Sequence, residues 1–147
     1  MKKSLNRVSA LSIIIVFIFS GCSVKPRYES ALKLIPTPIQ GKATIVGMVI
    51  SEKGVSLSGV PVKLAKIFGE NKNGIFVLDN AFSPSGITNQ NGEFLIENFD
   101  LGAYVLVIGN PEGKYEIIDD GWGNPKIWSF DENNVVNIGA IKVKNFP

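Results

Sequence analysis

The sequence predicts an all-β protein, an antiparallel β-sandwich of about seven to eight strands. From Ala43 onward, short apolar runs rich in Val, Ile, Phe and Tyr are broken about every eight to twelve residues by Gly, Asn, Pro or Ser. That rhythm is typical of a sandwich or barrel. No segment has a helical period of about ten residues or more. We therefore expect two packed sheets and no substantial helix.

The predicted strands and turns follow in chain order. The strands are 44–51, 60–68, 74–79, 93–97, 103–109, 115–118, 125–130 and 134–143. Turns at 52–54, 71–74, 91–92 and 111–113 contain residues that tolerate positive φ. Segment 69–86 is less regular, and we expect a long loop around 81–86.

Alternation within the runs predicts which side chains face the core. In one strand the apolar set is Val60, Val62 and Leu64, and in another it is Tyr104, Leu106 and Ile108. Successive side chains of a strand point to opposite faces, so each set shares one face. We expect these two sets to meet in the core.

The first 21 residues have the features of a secretory signal peptide. Lys2, Lys3 and Arg7 precede an apolar run over 8–19, and small residues follow it. The run is about 12 residues long, whereas a bilayer core needs about 20. An exported protein with a cleaved signal is therefore expected, rather than one with a spanning helix.

The end of this signal, Phe19-Ser20-Gly21-Cys22, resembles the bacterial lipoprotein signal. The resemblance implies that Cys22 receives a diacylglyceryl group and further acyl chains such as palmitate, and becomes the new N-terminus. Phe19 stands where Leu is usual. The alternative is a core thiol, but Cys22 is the only Cys of the chain and lies at the cleavage point. Two or more acyl chains give stable membrane anchoring.

Residues 22–42 are interpreted as a lipidated tether and 43–147 as one domain. The tether contains Pro26, Pro36 and Pro38, and as a flexible coil it would span roughly 25 Å. Cleavage before Cys22 leaves 126 residues (147 minus 21), a single-domain size. Ser23 is no acidic retention signal, which favours the outer membrane if the source is Gram-negative.

Signal removal also changes the charge, and with it the expected partners. Losing Lys2, Lys3 and Arg7 takes the formal net charge from +2 to −1. No basic cluster remains that could follow a phosphate backbone, so nucleic acid is not expected as a partner. The expected partners are membrane lipid, through acylated Cys22, and an envelope protein or polysaccharide.

Two stretches, GVSLSGVPVKL over 54–64 and TNQNGEFLIENFDLGAYVL over 88–106, together resemble the carboxypeptidase regulatory-like domain. The second matches that family at Thr88, Gly92, Phe94, Asn98, Gly102, Tyr104 and Leu106. Asn89 stands where the family usually has Asp. The resemblance implies a prealbumin-like, Ig-like sandwich of the transthyretin type, found as a non-catalytic module in secreted and surface proteins.

The residue types present argue against a catalytic or metal site. The chain has no His, which excludes Ser-His-Asp and Cys-His arrangements and zinc sites built on imidazole. The adjacent acids Asp119-Asp120 and Asp131-Glu132 point to opposite faces and more often cap turns. NQNG over 89–92 looks like part of a calcium loop, but too few acids surround it. We expect no catalytic residue, metal or cofactor.

Recognition is expected instead in two irregular segments. Trp122 lies between two glycines in 119–125, next to Asp120, and Phe82 lies in the 81–86 loop. An exposed indole could serve as a platform for a sugar or a protein, or it could fold back over the end of the sandwich. Trp128 alternates with Phe130 and is expected in the core.

The expected function is that of a lipid-anchored cell-envelope protein with a non-catalytic binding or structural module. The first alternative is a carbohydrate-binding accessory domain that uses Trp122 and the Phe82 loop. The second is an enzyme of unrecognised type. The sequence does not choose a ligand among these.

Overall fold

A computed structural model describes residues 35–69 and 74–146, which form a sandwich of two β-sheets. This confirms the predicted all-β sandwich. The predicted signal, Cys22 and most of the tether lie outside the described residues. Within 35–69 and 74–146, no helix is long and apolar enough to cross a bilayer.

Nine strand segments are formed by the described residues, close to the predicted positions. They are β1 Lys42–Ser51, β2 Pro61–Phe68, β3 Ile75–Val77, β4 Ser85–Ile87, β5 Glu93–Asp100, β6 Gly102–Gly109, β7 Tyr115–Ile117, β8 Ile127–Phe130 and β9 Val135–Val143. Each of the eight predicted strands has a counterpart, and β4 is the additional one.

The smaller sheet has the order β5-β1-β9. β1 pairs antiparallel with β5 but parallel with β9. The predicted antiparallel pairing therefore does not extend to β1 and β9. The reason is topological: the chain returns from the larger sheet to the start of β1, where the Thr44 N–H donates to the Asn134 carbonyl at 3.0 Å.

Both edge strands of the larger sheet are interrupted. β3 and β4 pair with different parts of β2 on one side, and β7 and β8 pair with different parts of β6 on the other. Each interruption is a loop that leaves the sheet and returns. The nine segments of the described chain thus occupy seven strand positions, in agreement with the predicted seven to eight.

The prediction of a long loop over 81–86 is wrong for its last residues, because strand pairing with β2 resumes there. The Leu64 N–H donates to the Pro84 carbonyl at 2.9 Å, and Gly86 then lies opposite Val62 in β4. A segment of three residues carries no alternation signal long enough to detect from the sequence. The interruption therefore covers 78–84, so it begins and ends earlier in the chain than the predicted loop.

The core between the sheets contains the sets that alternation predicted, with one exception. Val62, Leu64, Tyr104, Leu106 and Ile108 are buried, whereas Val60 is only partly buried. Val60 lies just before the first residue of β2. One end of the core is a cluster of mutually perpendicular rings. The ring centroids of Phe99, Tyr104 and Phe130 lie 4.8 to 5.9 Å apart, in edge-to-face contact.

A second, smaller apolar cluster covers part of the outward face of the larger sheet. Ala65, Val105 and Val107 are buried there, with Leu78 and Ile117 packed against them. Alternation assigned only one face of β6 to the core. The uninterrupted apolar run over 104–108 is the signal that both faces are covered.

The NQNG stretch is a turn, as its glycine suggests. Gly92 has φ of 77°. The Asn89 Oδ1 accepts the N–H groups of Asn91 and Glu93 at 2.9 and 3.0 Å, so this oxygen is engaged within the turn. The segment returns the chain into β5, where Phe94 and Ile96 enter the core.

Candidate functional site

A cavity of about 470 Å³ lies on the outward face of the larger sheet, and we call it the outer groove. Its floor is made by apolar side chains of β2, β6 and β8, and its walls by β3 and the loop over 119–125. The lining residues are Ile67, Gly74, Phe76, Val105, Asp120, Asn124, Pro125 and Ile127. The volume falls in the range of small-ligand sites, about 300–1,000 Å³.

The loop over 119–125 reaches the groove because it interrupts an edge strand. The Ile118 N–H donates to the Leu106 carbonyl at 3.0 Å, and the Lys126 N–H donates to the Ile118 carbonyl at 2.8 Å. The loop therefore leaves and re-enters the sheet at one point. Pairing resumes with Ile127 opposite Val105, on the groove floor.

Hydrogen bonds within this loop hold it in one shape. The Asp119 Oδ1 accepts the Gly121 N–H at 2.8 Å. The Asp120 Oδ1 accepts the N–H groups of Trp122 at 2.8 Å and Asn124 at 3.2 Å. Both acids thus cap the turn, as the sequence suggested for adjacent acids. The backbone on either side of Trp122 is held by these bonds.

The hydrogen bonds of the loop also stabilise the ionised form of the Asp120 carboxyl. The backbone N–H of Trp122, helped by the amide and backbone of Asn124, lowers the pKa of the Asp120 carboxyl below its ordinary value. Hydrogen bonds to the ionised form favour it. Asp120 lines the outer groove as a carboxylate, and most of its bonding capacity is used to shape the loop.

Trp122 extends from this loop into solvent. Its side chain is 89% exposed, so the alternative in which the indole folds back over the sandwich is wrong. Trp128 behaves differently, since it is partly buried, packs against the main core and lies opposite Tyr104. The Lys126 Nζ lies 5.1 Å from the centre of the Trp128 ring.

Phe82 lies at a different place from Trp122. It is carried by the loop between β3 and β4 and is 87% exposed. This loop is capped by Asp79, whose Oδ1 accepts the Ala81 and Phe82 N–H groups at 2.7 and 3.0 Å. Phe82 lines a separate cavity of about 210 Å³ with Phe68, Val77 and other residues. The structure brings Asp120 to the outer groove with the Trp122 loop, and it does not bring Phe82 there.

Sequence reasoning missed the groove floor and its β3 wall. Ile67, Val105, Ile127 and Phe76 were each read as members of single strands. Their meeting depends on strand order, which places β3, β2, β6 and β8 side by side. The continuous apolar run over 104–108 was the available signal for an apolar outward face.

The outer groove is suited to binding through apolar contacts. Its floor is aliphatic, and Phe76 and Pro125 add apolar walls. In the described part of the chain, no three His, Cys, Asp or Glu side chains come together in a group that could hold a metal ion.

Comparison with protein-family models gave no match, and neither did comparison with curated proteins. Membership of the carboxypeptidase regulatory-like family therefore stays a prediction.

Several solved structures are similar at low identity. A candidate carbohydrate-binding protein of Pseudomonas aeruginosa is 15% identical with a TM-score of 0.45, over 73% of this chain and 92% of that one. BcpA, the major pilin subunit of Bacillus cereus, is 17% identical with a TM-score of 0.45, over 71% of this chain and 30% of that one. The pilus 2b backbone protein of group B streptococcus is 21% identical with a TM-score of 0.38, over 69% and 40%. Similarities at this level say nothing about what this chain binds.

Proposed function

We propose that this protein is a lipid-anchored component of the bacterial cell envelope whose β-sandwich binds an envelope protein or polysaccharide without catalysing a reaction. The observation that carries the proposal is the exposed indole of Trp122, held on an ordered loop beside the outer groove. Burying a large apolar side chain contributes about 1.5–3 kcal/mol. Because hydrogen bonds already order the loop, binding costs little further conformational entropy there.

The last residues of the predicted tether are fixed to the domain by hydrogen bonds. The Ile39 N–H donates to the Asn98 Oδ1 at 3.0 Å, and the Asn133 Nδ2 donates to the Ile39 carbonyl at 2.7 Å. The Asn133 Oδ1 accepts the Gly41 N–H at 2.7 Å. These bonds fix the point at which the chain towards Cys22 leaves the domain.

A second candidate is a carbohydrate-binding accessory domain. The flat, exposed ring of Trp122 favours it, since an indole face packs well against the apolar face of a sugar. Asp120 and Asn124 lie next to it, but both carboxylate oxygens of Asp120 and the backbone N–H and side-chain nitrogen of Asn124 are engaged in the loop. This leaves few polar groups for sugar hydroxyls, so we place the candidate second.

Replacing Trp122 by alanine is expected to reduce partner capture in intact cells. Chemical crosslinking followed by mass spectrometry should recover an envelope partner with the unsubstituted protein and at least about tenfold less with Trp122→Ala, the loss expected for an anchor residue. Phe82→Ala is the matched control, because it removes an equally exposed aromatic side chain from a similar loop. Equal recovery with all three proteins would contradict the proposed role of the Trp122 loop.

The carbohydrate candidate is tested with the same variants. Soluble envelope polysaccharide should change the tryptophan fluorescence of the Phe82→Ala variant and leave that of Trp122→Ala unchanged, because Trp128 is partly buried. No fluorescence change with any polysaccharide, together with a crosslinked protein partner, would remove the carbohydrate candidate.

Lipidation is tested by the mass of the exported protein. We expect an N-terminus at Cys22 carrying acyl chains and fractionation with membranes, the outer membrane if the source has one. Cys22→Ser should release the protein into the soluble envelope fraction, since the anchoring energy comes from the acyl chains. An unmodified Cys22, or cleavage upstream of it, would contradict this part of the proposal.

A further inference from the structure

The outer groove carries a negative charge that no positive charge of the described chain neutralises. Asp120 is the charged side chain of its lining. Two ion pairs occur among the described residues, and Asp120 takes part in neither. The groups that lower its pKa, the backbone N–H of Trp122 first among them, are all neutral. They favour the ionised form and leave its net charge in place.

Part of the Asp120 carboxylate can still accept a donor from outside the loop. Its Oδ1 accepts two backbone N–H groups, those of Trp122 and Asn124. Its Oδ2 accepts only the Asn124 Nδ2, at 3.4 Å. A carboxylate has about four lone-pair sites, two on each oxygen. Oδ2 therefore keeps one site, and the residue is exposed to solvent.

Apolar surface lies on both sides of this carboxylate. In the groove, Phe76 is 37% exposed and Ile127 is 54% exposed. On the same loop as Asp120, the side chain of Trp122 is 89% exposed. An indole face attracts a cation as well as apolar surface. A carboxylate between an apolar groove and an exposed indole is complementary to a cation that has apolar neighbours.

We propose that the outer groove binds a segment of an envelope protein in which a basic side chain, arginine or lysine, lies between apolar side chains. This inference rests on the proposed binding at the Trp122 loop and specifies the chemistry of the partner. The apolar side chains lie over Val105 and Ile127, and the cation donates to the Asp120 Oδ2 and packs on the indole. Arginine fits best, because its planar guanidinium group both donates hydrogen bonds and stacks on an aromatic face.

Charge and lining together favour this partner over a polysaccharide. Sugar hydroxyls need several donors and acceptors, whereas Asp120 and Asn124 supply the polar side chains of the lining and are already bonded to each other. Phosphate or carboxylate groups on a polysaccharide would be repelled by Asp120, since like charges that face each other oppose association. A basic segment with apolar side chains is attracted by the charge and needs few hydrogen bonds from the groove floor.

Asp120→Asn tests the charge without removing the acceptor that shapes the loop, because an amide oxygen can accept the same N–H groups. In the crosslinking measurement on intact cells, it should lower recovery of the partner at least about threefold, the loss expected for an interface charge. Asp119→Asn is the matched control and should leave recovery unchanged. Asp119 carries the same charge in the same loop, but it does not line the groove and its Oδ2 lies 3.7 Å from the Lys144 Nζ.

The same variants separate this inference from the proposed function. Loss of recovery with Trp122→Ala but not with Asp120→Asn would overturn the basic partner and leave the proposed binding intact. Loss with Asp120→Asn but not with Trp122→Ala would contradict the role of the indole and support the basic partner. Equal losses with Asp120→Asn and Asp119→Asn would overturn the inference, because net charge alone would then be responsible.

A photoreactive side chain on the groove wall identifies what lies in the groove. Phe76→p-benzoyl-L-phenylalanine keeps an aromatic group there, and mass spectrometry should locate an arginine or lysine of the partner within about four residues of the linked site, roughly 13 Å of extended chain. The matched control is the same substitution at Ile87, which is 69% exposed and lies opposite Pro61 at the other end of β2. Ile87 should not link to that segment. A link from position 76 to a polysaccharide or to a segment without a basic residue, or no link at all, would overturn the proposal.

Discussion

Replacing Phe130 by alanine is expected to lower the free energy of unfolding by about 3–5 kcal/mol, as for other large aromatic side chains removed from a core. Phe130 is 1% exposed at the end of β8. Its ring contacts Phe99 at a centroid distance of 4.8 Å and Tyr104 at 5.9 Å, both edge to face. Alanine would remove the buried area and both ring contacts, which are worth about 0.5–1.5 kcal/mol each beyond their area.

We expect Phe99 and Tyr104 not to collapse into the space, because other contacts hold them. The Tyr104 hydroxyl donates to the Asp100 carbonyl at 2.7 Å, which ties the ring to the turn between β5 and β6. Interiors are close-packed and relax only partly after a deletion. The cavity left by Phe130→Ala should therefore remain largely open, and the loss should fall in the upper part of the range.

Urea denaturation followed by circular dichroism measures this loss. Ile127→Ala is the matched control, since it shortens a side chain of the same strand that is 54% exposed on the groove floor. Ile127→Ala should lower the free energy of unfolding by less than about 1 kcal/mol. A Phe130→Ala loss no larger than that of Ile127→Ala would mean that the three-ring cluster does not stabilise the fold.

Gly92→Ala is the second substitution with a large expected effect, about 2–5 kcal/mol of destabilisation from two separable causes. The first is backbone strain, since φ is 77°. The second is a collision, because an added Cβ would lie 2.6 Å from the Val49 carbonyl oxygen and 3.2 Å from the Leu57 nitrogen. That carbonyl accepts the Leu57 N–H, and the Val49 N–H donates to the Gly92 carbonyl, so any shift weakens both bonds.

Gly54→Ala separates the two causes. Gly54 has φ of 79°, almost the same as Gly92, but an added Cβ would meet nothing within 4 Å. Gly54→Ala should therefore lower the free energy of unfolding by the backbone strain alone, about 1–2 kcal/mol. The difference between the two free energies of unfolding, measured in urea, reports the collision. Equal losses would mean that the turn moves away from β1 without cost.

Much of the fold could be predicted from the sequence because it is encoded locally. Eight strands were located to within a few residues, since each is a short apolar run between turn residues. Gly92 was identified as the turn glycine from NQNG, and its positive φ agrees. Trp128 was expected in the core from its alternation with Phe130, and it is partly buried and packs against that core.

The candidate site was predicted only in part. Trp122 between two glycines and Asp120 beside it mark a turn that local sequence can identify. The outer groove could not be found this way, because Ile67, Phe76 and Val105 come from three strands that are adjacent only after the sheet has formed. Phe82 was grouped with Trp122 because both are aromatic residues in irregular segments, and the fold separates them.

The sequence by itself determined the strand segments, their turns and the residues that alternate into the core, because these depend on neighbours within a few positions. The tertiary structure alone decided the parallel pairing of β1 with β9, the interruption of both edges of the larger sheet, and the exposure of Trp122. These features depend on which strands lie side by side, and strand order follows from the packing of residues far apart in the chain. The Thr44 contact with Asn134 is one such long-range pairing.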